Sequence, residues 1–327
     1  MWIEHGLEHL TLEHPTGLTI GAFDGVHLGH QALIRWLVAN ARGAGWAPVV
    51  LTFDPLPQQV LNPDYCGLLS DLDDRLPMFA DLGVDGVVIQ SFDEEVAAIP
   101  ARAFAAQLRA HLNLRGLWVG PDFALGRERA GHVAALRSIG EEQGFEVHVF
   151  DEVVRWEGAP VRSSRIRRAI RAGDVATAWG CLGRPYRLTG QVTRGDQRGR
   201  TLGFPTANLH LPPARLAPVR GVYICRAHLA RGSFRAITNV GVRPTFDHRP
   251  PRVEAYLMDF SERIYGERLQ LDFLHRLRDE EKFDSAEALI HQIHRDEAEA
   301  RAWFAKHEYE EKDEETRQKA PSLLAGG

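Results

Sequence analysis

A chain of 327 residues, 44% hydrophobic and 25% charged with a formal net charge of −5, is long enough for two cores and lacks the basic balance of a nucleic-acid binder. No stretch approaches the roughly 20 apolar residues that span a bilayer, and Met1 to Leu10 has no basic start leading into an apolar run, so neither a membrane span nor a signal peptide is expected. Cys66, Cys181 and Cys225 are odd in number and form no C-x-x-C pair, the usage of reduced thiols in a cytoplasmic protein.

The first half alternates strand and helix patterns. Leu18 to Ile20 is a short apolar run closed by Gly21. Leu33, Ile34, Leu37, Val38 and Ala41 then recur at helical spacing, and Val49 to Phe53 reads as a buried strand. Further strands are expected at Gly86–Ile89, Leu117–Gly120 and Phe145–Phe150, with a helix over Ala101–His111. Strands alternating with helices predict a parallel sheet covered on both faces, an α/β domain over 1–182. Near its end, Ser163 or Ser164 can cap a helix from Arg165 to Arg171 that Gly173 ends, and Asp174 can cap another ending near Gly183.

Arg184-Pro185 reads as a linker. Beyond it, short strand patterns crowd between Gly and Pro residues at Tyr186–Val192, Gly221–His228, Phe234–Val240, Val253–Phe260 and Leu269–Leu274. That spacing predicts a small antiparallel β-barrel over 183–306, closed by a helix from Ser285 to about Lys306. The charged tail, 307–327, is expected to be disordered or a frayed extension of that helix.

Gly21 to His30 joins the first strand to the first helix. In open α/β sheets ligands sit at the carboxyl ends of strands, and helix N-termini bind anions through free N–H groups. Gly25 and Gly29 allow close backbone approach, Asp24 adds a carboxylate, and His27 and His30, three apart, can face one phosphate chain and neutralise charge on a transferring group. A P-loop pattern is absent, which argues against ordinary P-loop phosphoryl transfer. Downstream, Arg162 to Arg167 sets Ser163, Ser164 and guanidinium groups at a helix start, suited to capping, to phosphate binding, or to both.

In the second half, Gly199 to Asn208 reads as a turn. Gly203 and Pro205 shape it, and Thr206 and Asn208 present oxygens, the ligand type that suits Mg²⁺. Glu254 shares a strand face with Tyr256 and Met258 and is a candidate general base, which phosphorylation of an alcohol would need.

With both motifs in view, the chain resembles the bacterial bifunctional riboflavin kinase/FMN adenylyltransferase (FAD synthetase) family from about residue 15 to 305. The resemblance is carried by Gly21 to His30 with its H-x-G-H, Thr52 to Pro57, Val119 to Gly126 and Arg162 to Arg167. In the second half it is carried by G-F-P-T-A-N at Gly203 to Asn208, Gly221 to Tyr223, Asn239 to Thr245, Tyr265-Gly266 and Arg278 to Phe283. It implies a Rossmann-like nucleotidylyltransferase domain that makes FAD from FMN and ATP, and a β-barrel kinase domain that makes FMN from riboflavin and ATP. It implies that His27, His30, Ser163, Ser164 and Arg167 hold ATP phosphates beside Gly21, Phe23, Asp24, Gly25 and Gly29. Asp122 and Phe123 would help form the flavin and nucleotide pocket. In the kinase, Gly203, Phe204 and Pro205 would shape the nucleotide site, Thr206 and Asn208 would contact Mg²⁺ and ATP, and Glu254 would activate the ribityl hydroxyl. The expected partners are small molecules alone, with no nucleic acid and no membrane. Ala22, Pro121, Leu125 and Arg162 depart from the family pattern, and Ala22, Leu125 and Arg162 motivate the alternative of a kinase whose first domain is degraded to an FMN-holding or structural role.

Overall fold

Runs of β-branched and aliphatic residues in the first half form six strands in one sheet: β1 (Trp2–His5), β2 (Thr16–Ile20), β3 (Ala47–Phe53), β4 (Gly86–Gln90), β5 (Leu114–Val119) and β6 (Glu146–Val149). The computed structural model describes residues 1–62, 64–195, 203–241 and 251–319, with side chains to 307 in the last segment. The strand order is β1-β4-β3-β2-β5-β6 and every pairing is parallel. Strands β2, β3 and β4 are almost wholly buried, as continuous apolar runs in a two-faced parallel sheet must be. Helix α1 (Leu28–Gly43) turns Leu33, Ile34, Leu37 and Ala41 onto one face of the sheet. The opposite face is covered by α3 (Ala101–Leu112) and α4 (Val133–Gln143), which follows α2 (Leu72–Asp81) in the chain. The chain runs outward through β3 and β4, then returns to place β5 on the other side of β2. The loops after β2 and β5 therefore meet at the switch point where open α/β sheets bind ligands.

Helices α5 (Ser163–Ala172) and α6 (Val175–Leu182) follow, ended by Gly173 and Gly183 in left-handed backbone. Asp174 caps α6 as expected, its carboxylate accepting from Thr177 N at 2.9 Å. Neither serine caps α5: the helix begins at Ser163, and the cap position falls on Arg162 with no side-chain bond.

The second half forms a closed barrel from β7 (Tyr186–Thr193), β8 (Thr206–His210), β9 (Gly221–Leu229), β10 (Gly232–Gly241), β11 (Arg252–Leu257) and β12 (Arg268–Arg278), in the order β7-β8-β11-β10-β9-β12. The pairings described within it are antiparallel. One difference matters for function. Thr206 to Asn208, read from the sequence as part of a turn, lies in strand β8, because Ala207 and Leu209 alternate inward and set Thr206 and Asn208 on the other face. Gly199 to Leu202 and residues 242–245 of the recognised motifs lie outside the described residues.

Helix α7 (Ala286–Lys319) continues past Lys306 into the charged tail, for which either disorder or an extension of this helix was expected. The Glu- and Lys-rich run after His307 is built from straight-chain residues with good helix propensity. By internal contacts the chain divides into Met1–Leu188 with Pro212–Pro218, and Thr189–Leu211 with Val219–Gly327. The first unit thus takes in both the expected linker and a segment from the connection between β8 and β9.

Candidate active sites

In the first unit the loop from Gly21 to His27 leaves β2 and enters α1. Phe23, Gly25 and Val26 all hold positive φ, at 46°, 81° and 37°. Two of these are not glycine, so the surroundings must over-determine the loop. Its main anchor is Asp24, 3% exposed. Asp24 Oδ1 accepts from Leu69 N at 2.8 Å and Ser70 N at 3.0 Å, and Oδ2 accepts from Arg167 Nη2 at 2.6 Å. Ser70 Oγ takes the Gly25 N–H at 2.7 Å, and a Cβ on Gly25 would press on Leu69 at 3.2 Å. Arg75, 1% exposed, donates to the Ala22 carbonyl at 2.8 Å and to Thr52 Oγ1 at 2.7 Å. Arg184 Nη2 holds the Gly25 carbonyl at 2.7 Å. Arg167 also donates from Nε to the Gly67 carbonyl at 2.7 Å.

His27 occupies the cap position of α1, and its Nδ1 accepts from His30 N at 3.3 Å. That bond leaves the imidazole proton on Nε2. The two rings stack with centroids 3.6 Å apart and planes 17° apart, and Phe23 meets His30 edge-on at 5.3 Å. Burial, followed by the nearby Arg167 and Arg184, pushes the His27 imidazolium down to about 4. Burial with His27 and Arg167 holds His30 well below the usual histidine range. Both rings are therefore neutral near pH 7. Gly29 serves this stack, since a Cβ there would lie 3.2 Å from His27 Cε1. His30 Nδ1 is buried with no hydrogen-bond partner among the described residues.

The other expected residues divide. Ser163 Oγ reaches the Asp24 carbonyl at 3.4 Å, and Ser164 is exposed. Asp122 and Phe123, after β5, share a cavity of about 560 Å³ with Gly21, Ala22, Phe53 and Phe92. Leu125 also lines it, whereas Arg162 is exposed at the start of α5. An apolar slot with aromatic walls opening beside a helix N-terminus can take a flat ring system whose phosphate meets the loop. Leu69, Ser70 and Arg75 escaped sequence reading, because they lie far from the loop in sequence and carry no spacing signal.

In the second unit, register pairs Asn208 with Glu254 and Thr206 with Tyr256 across β8 and β11, and Glu254 with Asn239 across β11 and β10. Glu254 and Thr206 line a cavity of about 430 Å³ with Asn239, Tyr256, Arg278 and Asp296. Thr206 also borders a smaller cavity of about 190 Å³ with Pro205 and Tyr265. Phe204 is buried and meets Tyr256 edge-on at 5.4 Å, while Gly203 is exposed. Met258, expected on the Glu254 face, lies past the end of β11 and is buried. Arg252 was missed: its Nη2 is 2.7 Å from Glu254 Oε1, and its Nε donates to Asn208 Oδ1 at 3.2 Å. Among the described residues, no cluster of three or more His, Cys, Asp or Glu could hold a metal ion. Cys66 is exposed, and Cys181 and Cys225 are buried, all three as free thiols.

A family model described as FAD synthetase matches residues 10–165, and one described as riboflavin kinase matches residues 182–304. The bifunctional riboflavin kinase/FMN adenylyltransferase of Haemophilus influenzae is 36% identical over 290 residues, 88% of this chain and 94% of that one. The protein of the same description from Escherichia coli K12 is 35% identical over 309 residues, 93% of this chain and 98% of that one. A crystal structure described as a macrolide-efflux protein from Streptococcus pneumoniae superposes with a TM-score of 0.83 at 32% identity, over 92% of this chain and 99% of that one. In the present chain no helix among the described residues is long and apolar enough to cross a membrane. Two family models in tandem, and relatives matched along nearly their whole length, make this chain a member of the bifunctional riboflavin kinase/FMN adenylyltransferase family.

Proposed function

We propose that the chain makes FAD in two ATP-dependent steps, with the second unit phosphorylating riboflavin and the first adenylating the FMN produced. For the kinase step we assign Glu254 as the general base. Its carboxylate takes the proton of the terminal ribityl hydroxyl as that oxygen bonds to the γ-phosphorus, and the bond to the ADP leaving oxygen breaks. The observation that supports this most directly is the cavity carrying Glu254 on one wall, with Thr206 facing both it and the smaller cavity beside Pro205. That arrangement suits riboflavin in the larger space and nucleotide phosphates in the smaller, with transfer past Thr206.

Thr206 and Asn208 offer neutral oxygens, and Glu254 a nearby carboxylate. Few protein oxygens of this kind fit Mg²⁺, which keeps several waters and travels with phosphates. Mg²⁺ bound there would neutralise phosphate charge. Asn208 Oδ1 would have to leave Arg252 Nε to serve it.

For the adenylyl step we assign the FMN phosphate as nucleophile. One of its oxygens bonds to the α-phosphorus of ATP and pyrophosphate departs. The phosphate is already anionic at neutral pH, so no base is needed and the protein supplies positioning and charge stabilisation. His27 Nε2–H and the first-turn N–H groups of α1 other than that of His30, which His27 Nδ1 takes, are the groups we place at the phosphates. A protonated His30 imidazolium would add positive charge beside them, and the approach of a polyanion favours that protonation. Both steps draw on ATP, and we assign them to the cytoplasm.

The test is a chromatographic time course with riboflavin, ATP and Mg²⁺, repeated from FMN. FMN appearing first and FAD after it is the expected result. FMN accumulating without FAD would leave only the kinase, with the first unit holding FMN.

A further inference from the structure

The loop that holds the proposed ATP phosphates is cradled by one stretch of chain, Gly67 to Arg75. Gly67 takes a bond from Arg167, Leu69 and Ser70 hold Asp24, Ser70 Oγ takes the Gly25 N–H, and Arg75 holds the Ala22 carbonyl. Nothing in this stretch is regular until α2 begins at Leu72, so something outside it must fix its position.

That support comes from Pro212–Pro218, a segment of the first unit. Leu68 N donates to the Ala214 carbonyl and Leu216 N to the Leu68 carbonyl, both at 2.9 Å, forming a parallel bridge between Leu68 and Arg215. The Arg215 side chain is 1% exposed and lies 3.5 Å from Asp71 Oδ2 and 3.4 Å from Asp74 Oδ2. It also donates from Nη2 to the Arg187 carbonyl and lies over the Tyr186 ring. Asp71 and Asp74 open the helix that carries Arg75. In sequence, the supporting segment is the connection between β8, which carries Thr206 and Asn208, and β9.

We propose that Arg215 is a positioning residue for adenylyl transfer, fixing the Leu68-to-Arg75 cradle so that the Asp24 loop meets ATP in the reactive geometry. The proposal rests on the assignment of adenylyl transfer to the first unit. Its consequence is that the adenylyltransferase is not contained in residues 1–182: a piece of its scaffold arrives from between two strands of the kinase barrel. The physical argument is charge. Without the guanidinium, Asp71 and Asp74 lose the cation they share, and the nearby Arg75 is drawn from the Ala22 carbonyl toward Asp71. Lysine keeps the charge but not the planar fork that reaches two carboxylates and a carbonyl at once.

The test uses the full chain as Arg215→Lys and as Arg215→Met combined with Asp74→Asn, which removes the buried charge together with its partner. FAD formation from FMN and FMN formation from riboflavin are measured on the same preparations, with melting temperatures. The expected result for both variants is a fall in FAD-forming kcat/KM for ATP of roughly tenfold to a hundredfold, the scale of small misplacements remote from the chemistry. KM for FMN and the kinase rate should stay within about twofold of wild type. Folded variants with wild-type kcat/KM for ATP overturn the proposal, as does a parallel loss of both activities or an equal shift in KM for FMN. If Arg215→Lys does not fold, the double variant decides by the same criteria. A wild-type chain that makes FMN but no FAD would instead refute the assignment of adenylyl transfer, which separates the two failures.

Discussion

Arg252 bridges Glu254 and Asn208, lying 2.7 Å from the carboxylate and 3.2 Å from the amide oxygen, so the proposed base and a proposed metal ligand are held by one guanidinium. All three face one way because β8 and β11 pair Asn208 directly with Glu254, and Arg252 sits two residues along the same strand face. The arrangement orients the carboxylate before substrate arrives. Under the proposed assignment of Asn208 to the cation, Arg252 has to yield the amide oxygen on binding.

Glu254→Gln removes the proton acceptor with little change in shape. The expected loss in kinase kcat is about a hundredfold or more, the usual worth of a positioned base, while FAD formation from FMN is unchanged. Arg252→Gln leaves the base in place and loosens it, so a smaller loss, about tenfold in kcat/KM, is expected. Steady-state rates for both variants check this, and Glu254→Gln turning over at the wild-type rate would remove the residue from the mechanism.

The histidine pair makes the first unit acid-sensitive. His27 falls from 6.5 to about 4 through burial and neighbouring arginines, and His30 is also held well below the usual histidine range by burial beside His27 and Arg167. A lowered folded value means the unfolded chain binds more protons across that interval. The stability contributed by the neutral rings is then complete above about pH 6.5 and is lost as pH falls toward 4. Trp2, Trp36, Trp46, Trp118, Trp156 and Trp179 lie in the first unit and Trp303 in the second, so tryptophan fluorescence follows the first. The urea midpoint read this way should drop between pH 7 and pH 5, and His27→Gln should flatten that drop. A slope unchanged by His27→Gln would mean that His27 takes up its proton alike in the folded and unfolded chain, which would refute the lowered value.

These features differ in how far the sequence announces them. Helix α1 and strands β2 to β5 follow from local periodicity, since Leu33, Ile34, Leu37 and Ala41 point to one face whatever else the chain does. His27, His30 and Glu254 are visible because their chemistry is written in short motifs. The partners of Asp24 are not, since Leu69, Ser70 and Arg167 reach it from distant elements and two of them through backbone N–H groups that any residue carries. Thr206 to Asn208 looked like a turn because Gly203 and Pro205 precede it, and only pairing with β11 reveals the strand. Arg215 sits between Pro212 and Pro218, a local pattern of an exposed loop, yet tertiary pairing buries it.

Asp24 tests the phosphate loop without touching the helix dipole or the histidines. Its carboxylate is buried and paired with Arg167, and removing one partner of such a pair commonly costs about 3 kcal/mol. Asp24→Ala should therefore lower the urea midpoint of the first unit and reduce FAD formation by at least about tenfold, with the kinase rate preserved. Asp24→Asn keeps one acceptor oxygen for Leu69 and Ser70 and should recover most of the stability but not the geometry at Arg167. Equal FAD formation in wild type and Asp24→Asn would show that the Arg167 contact is dispensable.

Arg278 and Asp296 line the cavity that carries Glu254, the space proposed above for riboflavin. Arg278 donates from Nε and Nη2 to the two Asp296 oxygens at 2.9 and 2.8 Å, and Gln292 Nε2 adds a third bond at 2.8 Å. Asp296 lies on α7 and is 4% exposed, so this pair ties the last helix to the end of β12. Asp296→Ala leaves a guanidinium partly buried without its main acceptor, and the helix should lift away from the cavity. The expected signature is a KM for riboflavin raised about tenfold, with kcat at saturating riboflavin and FAD formation from FMN both retained, because Glu254 and the first unit are untouched. Replacing both members, Arg278→Met with Asp296→Leu, should restore the melting temperature, since an apolar pair of similar volume avoids burying charge. If the double variant also restores KM, the pair acts only by docking α7; if KM stays high while stability returns, Arg278 contacts the flavin itself.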